Sequence, residues 1–184
     1  MKVTGTEIDG LLLIEPTVFN DNRGFFMESY SKEKYKDAGI DVEFIQDNHS
    51  LSISKGTIRG MHFQLEAKSQ SKLIRVIKGE ILNVVVDLRT QSKTFLKWLG
   101  FNLSAENKHQ LFVPKNFANG FCSLSDNCEV EYKVDEIYSP EHERSFIWNE
   151  PQINIKWDVE NPILSDKDMK APSFESLNLK IDNR

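Results

Sequence analysis

The sequence is poor in the residues that mark disulfide-stapled, exported or membrane-spanning proteins. Its 184 residues include only two cysteines, Cys122 and Cys128, which are too few for a disulfide framework or a zinc site in a chain of this length. We interpret both as free thiols in a reducing compartment. The first ten residues are polar and lack the basic-then-apolar order of an export signal. We therefore predict a cytoplasmic location.

Long apolar runs and an excess of positive charge are also missing. The most apolar run, residues 81–88, is too short to cross a bilayer and is followed by Arg89, which is typical of a buried strand. A net charge of −5 and a pI near 5.4 argue against a nucleic-acid or membrane surface, while leaving room for a local basic pocket that binds a phosphorylated small molecule. The sequence predicts no nucleic-acid partner and no membrane partner.

Length and hydrophobic content indicate one globular domain. The chain has 184 residues, 39% of them hydrophobic, so residues 1–184 have room for a single core, and residues 173–184 are predicted to be a flexible tail. Short β-rich segments separated by turn residues dominate, which is typical of an all-β sandwich or barrel. The predicted strands are residues 11–19, 24–30, 42–46, 57–64, 73–77, 81–88, 98–103, 110–113, 120–124 and 130–134.

Turn and cap residues refine this prediction. Gly79 supplies the positive φ that a tight turn needs, so residues 73–77 and 81–88 are predicted to pair as a hairpin. Residues 31–38 predict one peripheral helix, with Ser31 as N-cap and Gly39 ending it in the left-handed conformation. After Pro140, proline-punctuated segments predict an ordered wrap over the β body.

A glycine-bracketed segment, residues 56–64, carries Arg59 and His62 three residues apart. Imidazole titrates near neutral pH, so a histidine in an enclosed site beside a fixed cation suits removal of a proton from carbon next to a carbonyl. A core histidine with structural hydrogen bonds is the alternative for an isolated residue. The metal-binding cupin pattern, which needs a second histidine nearby and a late one after a proline, fails at Gln64 and Asn119, so we predict no metal.

Several strands and loops offer further polar candidates whose ordinary structural roles stay open at this point. Lys72 is either a pocket cation or a solvated lysine, and Tyr132 is either an acid or a core side chain bonded to backbone. Arg23 suits a phosphate, although a loop arginine is usually solvated. Gln46 and Asn48 offer amides to hydroxyls or a nucleobase, or else cap a turn.

Six sequence blocks of unusual composition occur in a fixed order. They are residues 19–29 (FNDNRGFFMES), 46–50 (QDNHS), 58–64 (IRGMHFQ), 103–108 (LSAENK), 138–143 (YSPEHE) and 163–168 (ILSDKD). Over about residues 15–168 the chain resembles the dTDP-4-dehydrorhamnose 3,5-epimerase family of metal-free cupins. The resemblance implies a cupin-type double-stranded β-helix, or jelly roll, with a few short peripheral helices. It also implies a homodimer that shares amino-terminal strands and active sites.

The resemblance implies catalytic roles for four residues. His62 matches the family's general base, Tyr132 the general acid on the opposite face of the sugar, and Lys72 the cation near the C4 oxygen. Asp168 matches the carboxylate that orients His62, with Asp166 as the alternative. The 4-keto group acidifies the hydrogens at C3 and C5, so a proton lost on one face and regained on the other inverts the carbon. The reaction requires no cofactor and no metal.

The resemblance also implies a set of contacts to a dTDP-linked 4-keto sugar. Arginine suits the diphosphate, and Tyr138 matches the aromatic residue that stacks on thymine. The implied contacts are Arg23, Phe26, Glu28, Gln46, Asn48, Arg59, Asn119, Tyr138, Glu143 and Lys167. The implied activity is that of a dTDP-4-dehydro-6-deoxy-D-glucose 3,5-epimerase, an isomerase of L-rhamnose biosynthesis for cell-surface polysaccharides.

Asn119 departs from the family pattern, which usually has histidine at this position. Asparagine donates a hydrogen bond but carries no charge, so we hypothesise an altered choice of sugar or inversion at one carbon only. The first alternative is therefore a C3 or C5 mono-epimerase, or an epimerase of another 4-keto-6-deoxy sugar nucleotide. The alternative from another class is a non-catalytic cupin that binds sugar nucleotides.

Overall fold

The structure is a computed structural model that describes residues 1–177. These residues contain thirteen strands, two α-helices and one 3₁₀ helix. The strands are β1 (Lys2–Gly5), β2 (Leu12–Glu15), β3 (Val18–Asp21), β4 (Gly24–Met27), β5 (Gln46–Ser52), β6 (Ile58–Gln64), β7 (Lys72–Lys78), β8 (Glu80–Asp87), β9 (Trp98–Ser104), β10 (Gln110–Val113), β11 (Phe117–Ser123), β12 (Cys128–Val134) and β13 (Glu143–Ser145). The helices are α1 (Lys32–Asp37), α2 (Asp166–Met169) and the 3₁₀ helix Glu175–Leu177. No helix within residues 1–177 is long and apolar enough to cross a membrane.

Two large antiparallel sheets pack face to face as a cupin-type jelly roll. The first sheet has six strands in the order β1-β2-β10-β7-β12-β5, and the second has five in the order β13-β6-β11-β8-β9. Strands β3 and β4 pair only with each other and form a separate two-stranded ribbon, the β3–β4 ribbon. The predicted all-β fold class is confirmed.

The main apolar core lies between the two sheets. Because side chains alternate along a strand, Ile74, Val76 and Val130 of the first sheet meet Val85 and Phe121 of the second. All five are buried. The alternation gives each strand an inner face, which points into the space between the sheets, and an outer face.

The outer faces are covered by different parts of the chain. Helix α1 covers the first sheet, where Tyr35 packs against Leu73. The segment after Pro140 covers the second sheet, with Phe146 and Trp157 in the apolar cluster there. The Trp157 indole Nε1 donates to the Trp148 carbonyl at 2.7 Å. The predicted wrap is confirmed.

The predicted hairpin between residues 73–77 and 81–88 is wrong. Strands β7 and β8 belong to different sheets, and β8 pairs with β9 and β11 instead. Gly79 does have the positive φ that was expected, +78°. It turns the chain from one sheet to the other, because a glycine at a turn does not determine which sheet the next strand joins.

Several predicted strands have the wrong bounds, and two of them differ most from the structure. Residues 42–45 are not a strand: Val42 and Phe44 pack with the cluster under α1, and the strand β5 begins only at Gln46. The predicted strand 11–19 divides into β2 and β3 around Pro16, which cannot donate a ladder hydrogen bond. Strands β1 and β13 and helix α2 have no counterpart in the sequence prediction.

The ends of the predicted helix and tail also differ in detail from expectation. Ser31 occupies the N-cap position of α1, but its side chain makes no capping hydrogen bond, whereas Gly39 has the expected positive φ of +90°. The predicted tail begins with packed residues: Phe174 is buried, and its N–H donates to the Glu150 carboxylate at 2.6 Å. Residues 178–184 of that tail lie outside the described residues.

Candidate active site

Strand β6 places Arg59 and His62 on the same face of the second sheet. His62 pairs with Asn119 and Arg59 with Phe121, so three steps along β6 match two along β11. This β-bulge lies at Gly60, where φ is +127° and an added Cβ would come within 2.7 Å of the β11 backbone. Directly opposed residues share a face, and Phe121 points into the core. Arg59 and His62 therefore point into the space between the sheets.

The first sheet presents its polar residues to the same space from the opposite side. Tyr132 of β12 lies between Ile74 of β7 and Asn48 of β5, and Ile74 belongs to the core. Two residues along, Lys72 and Gln46 flank the next inward position of β12. The strand register thus places Tyr132 and Lys72 on the wall opposite His62.

His62 is hydrogen-bonded to a buried carboxylate. Its Nε2 lies 2.5 Å from Asp168 Oδ1, and the Asp168 side chain is only 5% exposed. Ser165 supports the pair, because its hydroxyl donates to Asp168 Oδ2 at 3.0 Å and accepts the Asp168 N–H at 3.1 Å. Burial raises the pKa of Asp168, but hydrogen bonds from His62 and Ser165 outweigh it and hold the pKa below the usual carboxyl value. Of the two candidate aspartates, Asp168 contacts His62.

A second carboxylate lies on the other side of the His62 ring. Glu143 Oε1 is 3.8 Å from His62 Nδ1 and 2.6 Å from Lys167 Nζ. The Tyr138 hydroxyl donates to Glu143 Oε2 at 2.7 Å. Burial raises the pKa of Glu143, yet the contacts with Lys167 and Tyr138 lower it more, so the group is held ionised. Four predicted site residues, His62, Glu143, Tyr138 and Lys167, therefore form one connected cluster.

Gln64 holds the loop that carries Tyr138. It is buried, its Nε2 donates to the carbonyls of Lys68 and Ile137, and its Oε1 accepts the Ser139 N–H at 2.7 Å. The residue at the place of a metal-binding histidine thus satisfies three backbone groups instead. Among residues 1–177, no group of three or more His, Cys, Asp or Glu side chains is placed to hold a metal ion.

Arg59 links the two sheets at the rim of the inner space. Its Nη2 donates to the Leu51 carbonyl at 2.8 Å and its Nε to the Ser52 hydroxyl at 3.2 Å, both in β5. Burial raises the pKa of Tyr132, and the charge of Arg59 opposes that shift only in part. The Tyr132 phenol is therefore held in its protonated form.

Lys72 is a partly desolvated cation beside Tyr132. Its Nζ lies 5.7 Å from the centre of the Tyr132 ring and donates to Gln70 Oε1 at 2.9 Å. Burial lowers the pKa of Lys72 to about 8, with Asp135 opposing the shift. An ammonium group that is poorly solvated interacts strongly with negative charge placed next to it.

Asn119 and the amides of β5 complete the inner polar surface. Asn119 lies directly opposite His62 across the β6–β11 ladder, and its Oδ1 accepts a hydrogen bond from Asn83 Nδ2 at 2.9 Å. Gln46 Nε2 donates to Asn48 Oδ1 at 2.9 Å. These amides leave further donors and acceptors for hydroxyl groups in the space between the sheets.

Three predicted contact residues lie apart from this cluster. Arg23 and Phe26 belong to the β3–β4 ribbon, where Arg23 is paired with Asp21 and Phe26 is 66% exposed. Glu28, just beyond the ribbon, is paired with Lys34 of α1. None of the three contacts His62, Tyr132 or Lys72 within the described part of the chain.

Two site residues were not identified from the sequence. Ser165 could have been found, because Ser-x-x-Asp at residues 165–168 matches the pattern of a helix N-cap that bonds the residue three positions on. Asn83 offered no such signal, since it interrupts an apolar run of β8 without any neighbouring motif.

Comparison with known proteins identifies the family. A family model described as dTDP-4-dehydrorhamnose 3,5-epimerase matches residues 5–176. The chain belongs to the dTDP-4-dehydrorhamnose 3,5-epimerase family. The match to this epimerase family confirms the resemblance predicted from the six sequence blocks.

Individual members of the epimerase family are similar over nearly their whole length. The dTDP-4-dehydrorhamnose 3,5-epimerase of Shigella flexneri is 53% identical over 175 residues, which are 95% of this chain and 96% of the relative. The Bacillus anthracis enzyme, solved with TDP and PPi bound, is 50% identical with a TM-score of 0.92, covering 94% of this chain and 98% of its own. The Legionella pneumophila enzyme, solved with dTDP-4-keto-L-rhamnose, is 41% identical with a TM-score of 0.92, covering 98% and 96%.

Proposed function

We propose that this protein is a dTDP-4-dehydro-6-deoxy-D-glucose 3,5-epimerase that produces dTDP-4-dehydro-L-rhamnose, acting as a single cupin domain. The observation that carries the proposal is the His62–Asp168 pair on one wall of the inner space, with Tyr132 and Lys72 on the opposite wall. The family membership and the sugar nucleotides in the relatives' structures support the same substrate class.

The proposed reaction exchanges one proton on each face of the sugar. The 4-keto group acidifies the neighbouring C–H bond, and the Nδ1 lone pair of His62 takes the proton while Nε2–H stays bonded to Asp168. The C–H electrons become the C–C double bond of an enolate, and the carbonyl π electrons move to the C4 oxygen. Tyr132 then gives its proton to the same carbon from the other face, which inverts that centre. Solvent reprotonates Tyr132 and deprotonates His62, so no redox cofactor or metal is needed.

Two charges stabilise the intermediates of this reaction. The ionised Asp168 favours the imidazolium that forms when His62 takes the proton, as a carboxylate does in a catalytic triad. Lys72 supplies a preorganised positive charge for the enolate oxygen, an effect that is typically worth about 3 kcal/mol for one well-placed donor. Tyr132 keeps its proton until the carbanion forms because burial raises its pKa.

The β3–β4 ribbon supports a homodimer with shared active sites. Its arginine, Arg23, has a side chain that is 84% exposed, and Phe25 and Phe26 are 57% and 66% exposed. Exposed aromatic rings beside a guanidinium group are enriched at interfaces. We infer that the ribbon reaches a second copy, where Arg23 meets the substrate diphosphate and Phe26 helps to enclose the nucleotide.

A mixing experiment tests the shared sites. Arg23→Ala and His62→Ala are each expected to be poorly active alone. Mixed dimers of the two variants contain one intact site if Arg23 serves the partner's His62, so activity should be partly restored after the subunits exchange. A mixture that stays as inactive as its components, with co-purification of differently tagged subunits showing that mixed dimers have formed, contradicts shared sites.

Proton NMR of the substrate in D₂O tests the reaction itself. Epimerisation at both centres predicts deuterium at C3 and at C5 of the product, together with the L-rhamno configuration. Absence of deuterium at both carbons with purified protein contradicts the epimerase and favours a sugar-nucleotide-binding cupin. Elemental analysis of the same sample tests the predicted absence of a metal.

A second candidate function is a single-carbon epimerase, and Asn119 is the observation that favours it. Where the family usually has histidine, this chain has an amide that carries no charge. Deuterium at only C3 or only C5 in the same NMR experiment identifies this activity. Conversion of Asn119→His is then expected to introduce label at the second carbon.

A further inference from the structure

A pair of amides interrupts the apolar inner face of the second sheet. Asn83 of β8 is fully buried and lies between Phe121 of β11 and Phe101 of β9 in the strand register. Burying an amide among apolar groups is unfavourable unless it makes hydrogen bonds. A buried asparagine at this position therefore needs an explanation beyond packing.

Within residues 1–177, the Asn83 side chain makes one hydrogen bond, and it leads to the candidate site. Asn83 Nδ2 donates to Asn119 Oδ1 at 2.9 Å, while Asn83 Oδ1 is the one buried side-chain polar atom without a partner within residues 1–177. Asn119 itself is half-buried and lies directly opposite His62. The hydrogen bond occupies the Asn119 oxygen and leaves its Nδ2 as the free group of this amide.

We propose that Asn83 is a positioning residue that orients the Asn119 amide, so that Asn119 presents a neutral N–H donor to an oxygen of the bound sugar. This inference rests on the proposed epimerase function. Asn83 acts through Asn119 and does not touch the substrate. Because an amide does not change charge with pH, the donor at this position stays the same across the pH range of the enzyme.

The competing explanation is that Asn83 only fills space in β8. A side chain of the same branched shape, as in Asn83→Leu, would then leave activity unchanged, because it also removes a buried unpaired oxygen. The proposal predicts a different result. Without the Asn83 donor, the Asn119 amide is free to turn, and its oxygen faces the sugar for part of the time.

A double-mutant cycle in D₂O separates these explanations. The proteins are wild type, Asn83→Leu, Asn119→Ala and the double variant, with Asn102→Leu on the exposed face of β9 as the matched control. We expect kcat/KM to fall about tenfold in Asn83→Leu, the effect of losing one hydrogen bond at a reacting group, with thermal stability maintained. In the Asn119→Ala background, Asn83→Leu should lower kcat/KM no further, because the amide that Asn83 orients is absent.

Asn83→Asp tests which group of the Asn119 amide must face the sugar. A carboxylate cannot donate, so it would accept from Asn119 Nδ2 and turn the amide oxygen toward the sugar. The loss in kcat/KM should exceed that of Asn83→Leu, and the ratio of deuterium at C3 to that at C5 should change. If Asn83→Asp fails to fold, the double-mutant cycle still decides the question.

These experiments distinguish failure of the positioning role of Asn83 from failure of the proposed epimerase function. If wild-type protein incorporates no deuterium, the epimerase proposal fails, and this inference fails with it. If wild type is active and Asn83→Leu retains its kcat/KM and isotope ratio, the epimerase stands and the positioning role is wrong. Equal losses from Asn83→Leu with and without Asn119 also overturn the role, because they show a purely structural effect.

Discussion

The two walls of the inner space hold their reactive side chains in different ways. His62 lies between the carboxylates of Asp168 and Glu143, and Ser165 fixes Asp168 in turn. Tyr132, by contrast, is held by packing and strand pairing, and its hydroxyl has no hydrogen-bond partner within the described residues. A base that becomes charged needs a prearranged opposite charge, whereas Tyr132 is neutral before it donates its proton and needs no carboxylate beside it.

The largest expected effect comes from replacing His62. His62→Asn removes the proposed base while keeping a polar side chain of similar size, and we expect the epimerisation rate to fall by about 10³-fold, within the usual range for general acid–base catalysis. Deuterium uptake at C3 and C5 should fall together, as measured by NMR in D₂O. His49→Asn, on the outer face of β5, is the control. Wild-type uptake in His62→Asn would assign proton removal to another residue.

Tyr132, on the opposite wall, should give a different kind of defect. Tyr132→Phe keeps the ring but removes the proposed acid, and we expect inversion to slow by about 10²-fold. Because His62 is intact, it can still remove a proton and return deuterium to the same face. The measurement is NMR of recovered substrate, which should carry deuterium with unchanged configuration. Inversion at the wild-type rate would mean that the second proton comes from elsewhere.

Lys72 should make the activity sensitive to alkaline pH. Its pKa is lowered to about 8, so the ammonium that we propose to face the enolate is lost as the pH rises through that value, and kcat should fall with it. The same shift opposes folding at lower pH, and the fold gains stability between pH 8 and the ordinary lysine value of 10.5. In Lys72→Arg the alkaline decline should move to higher pH, whereas Lys78→Arg should leave it in place. A decline unchanged in Lys72→Arg excludes Lys72 as its cause.

The smallest expected effect concerns the contribution of Asp168 to the stability of the fold. The pKa of Asp168 is held below its usual value, so the ionised group stabilises the fold above the usual carboxyl pKa, and this contribution is lost as the pH falls through the lowered pKa. Asp168→Asn should lower the free energy of unfolding by about 2 kcal/mol at neutral pH, the typical loss for a hydrogen bond to a charged group.

Urea denaturation at several pH values measures the difference in free energy of unfolding between wild type and Asp168→Asn. This difference should shrink in acid. The exposed neighbour Asp166 provides the control, because Asp166→Asn should change stability by less than about 0.5 kcal/mol. A larger effect from Asp166→Asn than from Asp168→Asn would reverse the assignment of the carboxylate that supports His62.

Local sequence patterns predicted more of the fold than of the site. The apolar runs of β7 and β8 and the period-two alternation in β12 predict strands because they depend only on neighbouring residues, and the positive φ at Gly39 and Gly79 follows in the same way. The pairing of β7 with β8 was wrong because sheet partners are distant in sequence. The bulge at Gly60, which turns Arg59 and His62 to one face, requires the register with β11.

The sequence by itself determined the family, the all-β class and the residue types available for acid–base chemistry, since six ordered blocks and strand periodicity are local properties of the chain. The tertiary structure alone decided that Asp168 rather than Asp166 contacts His62, and that Glu143 links Tyr138 and Lys167 to the same ring. It also decided that Asn83 bonds Asn119. These contacts join residues far apart in the chain, and hydrogen bonds depend on distances and angles that only the packed sheets define.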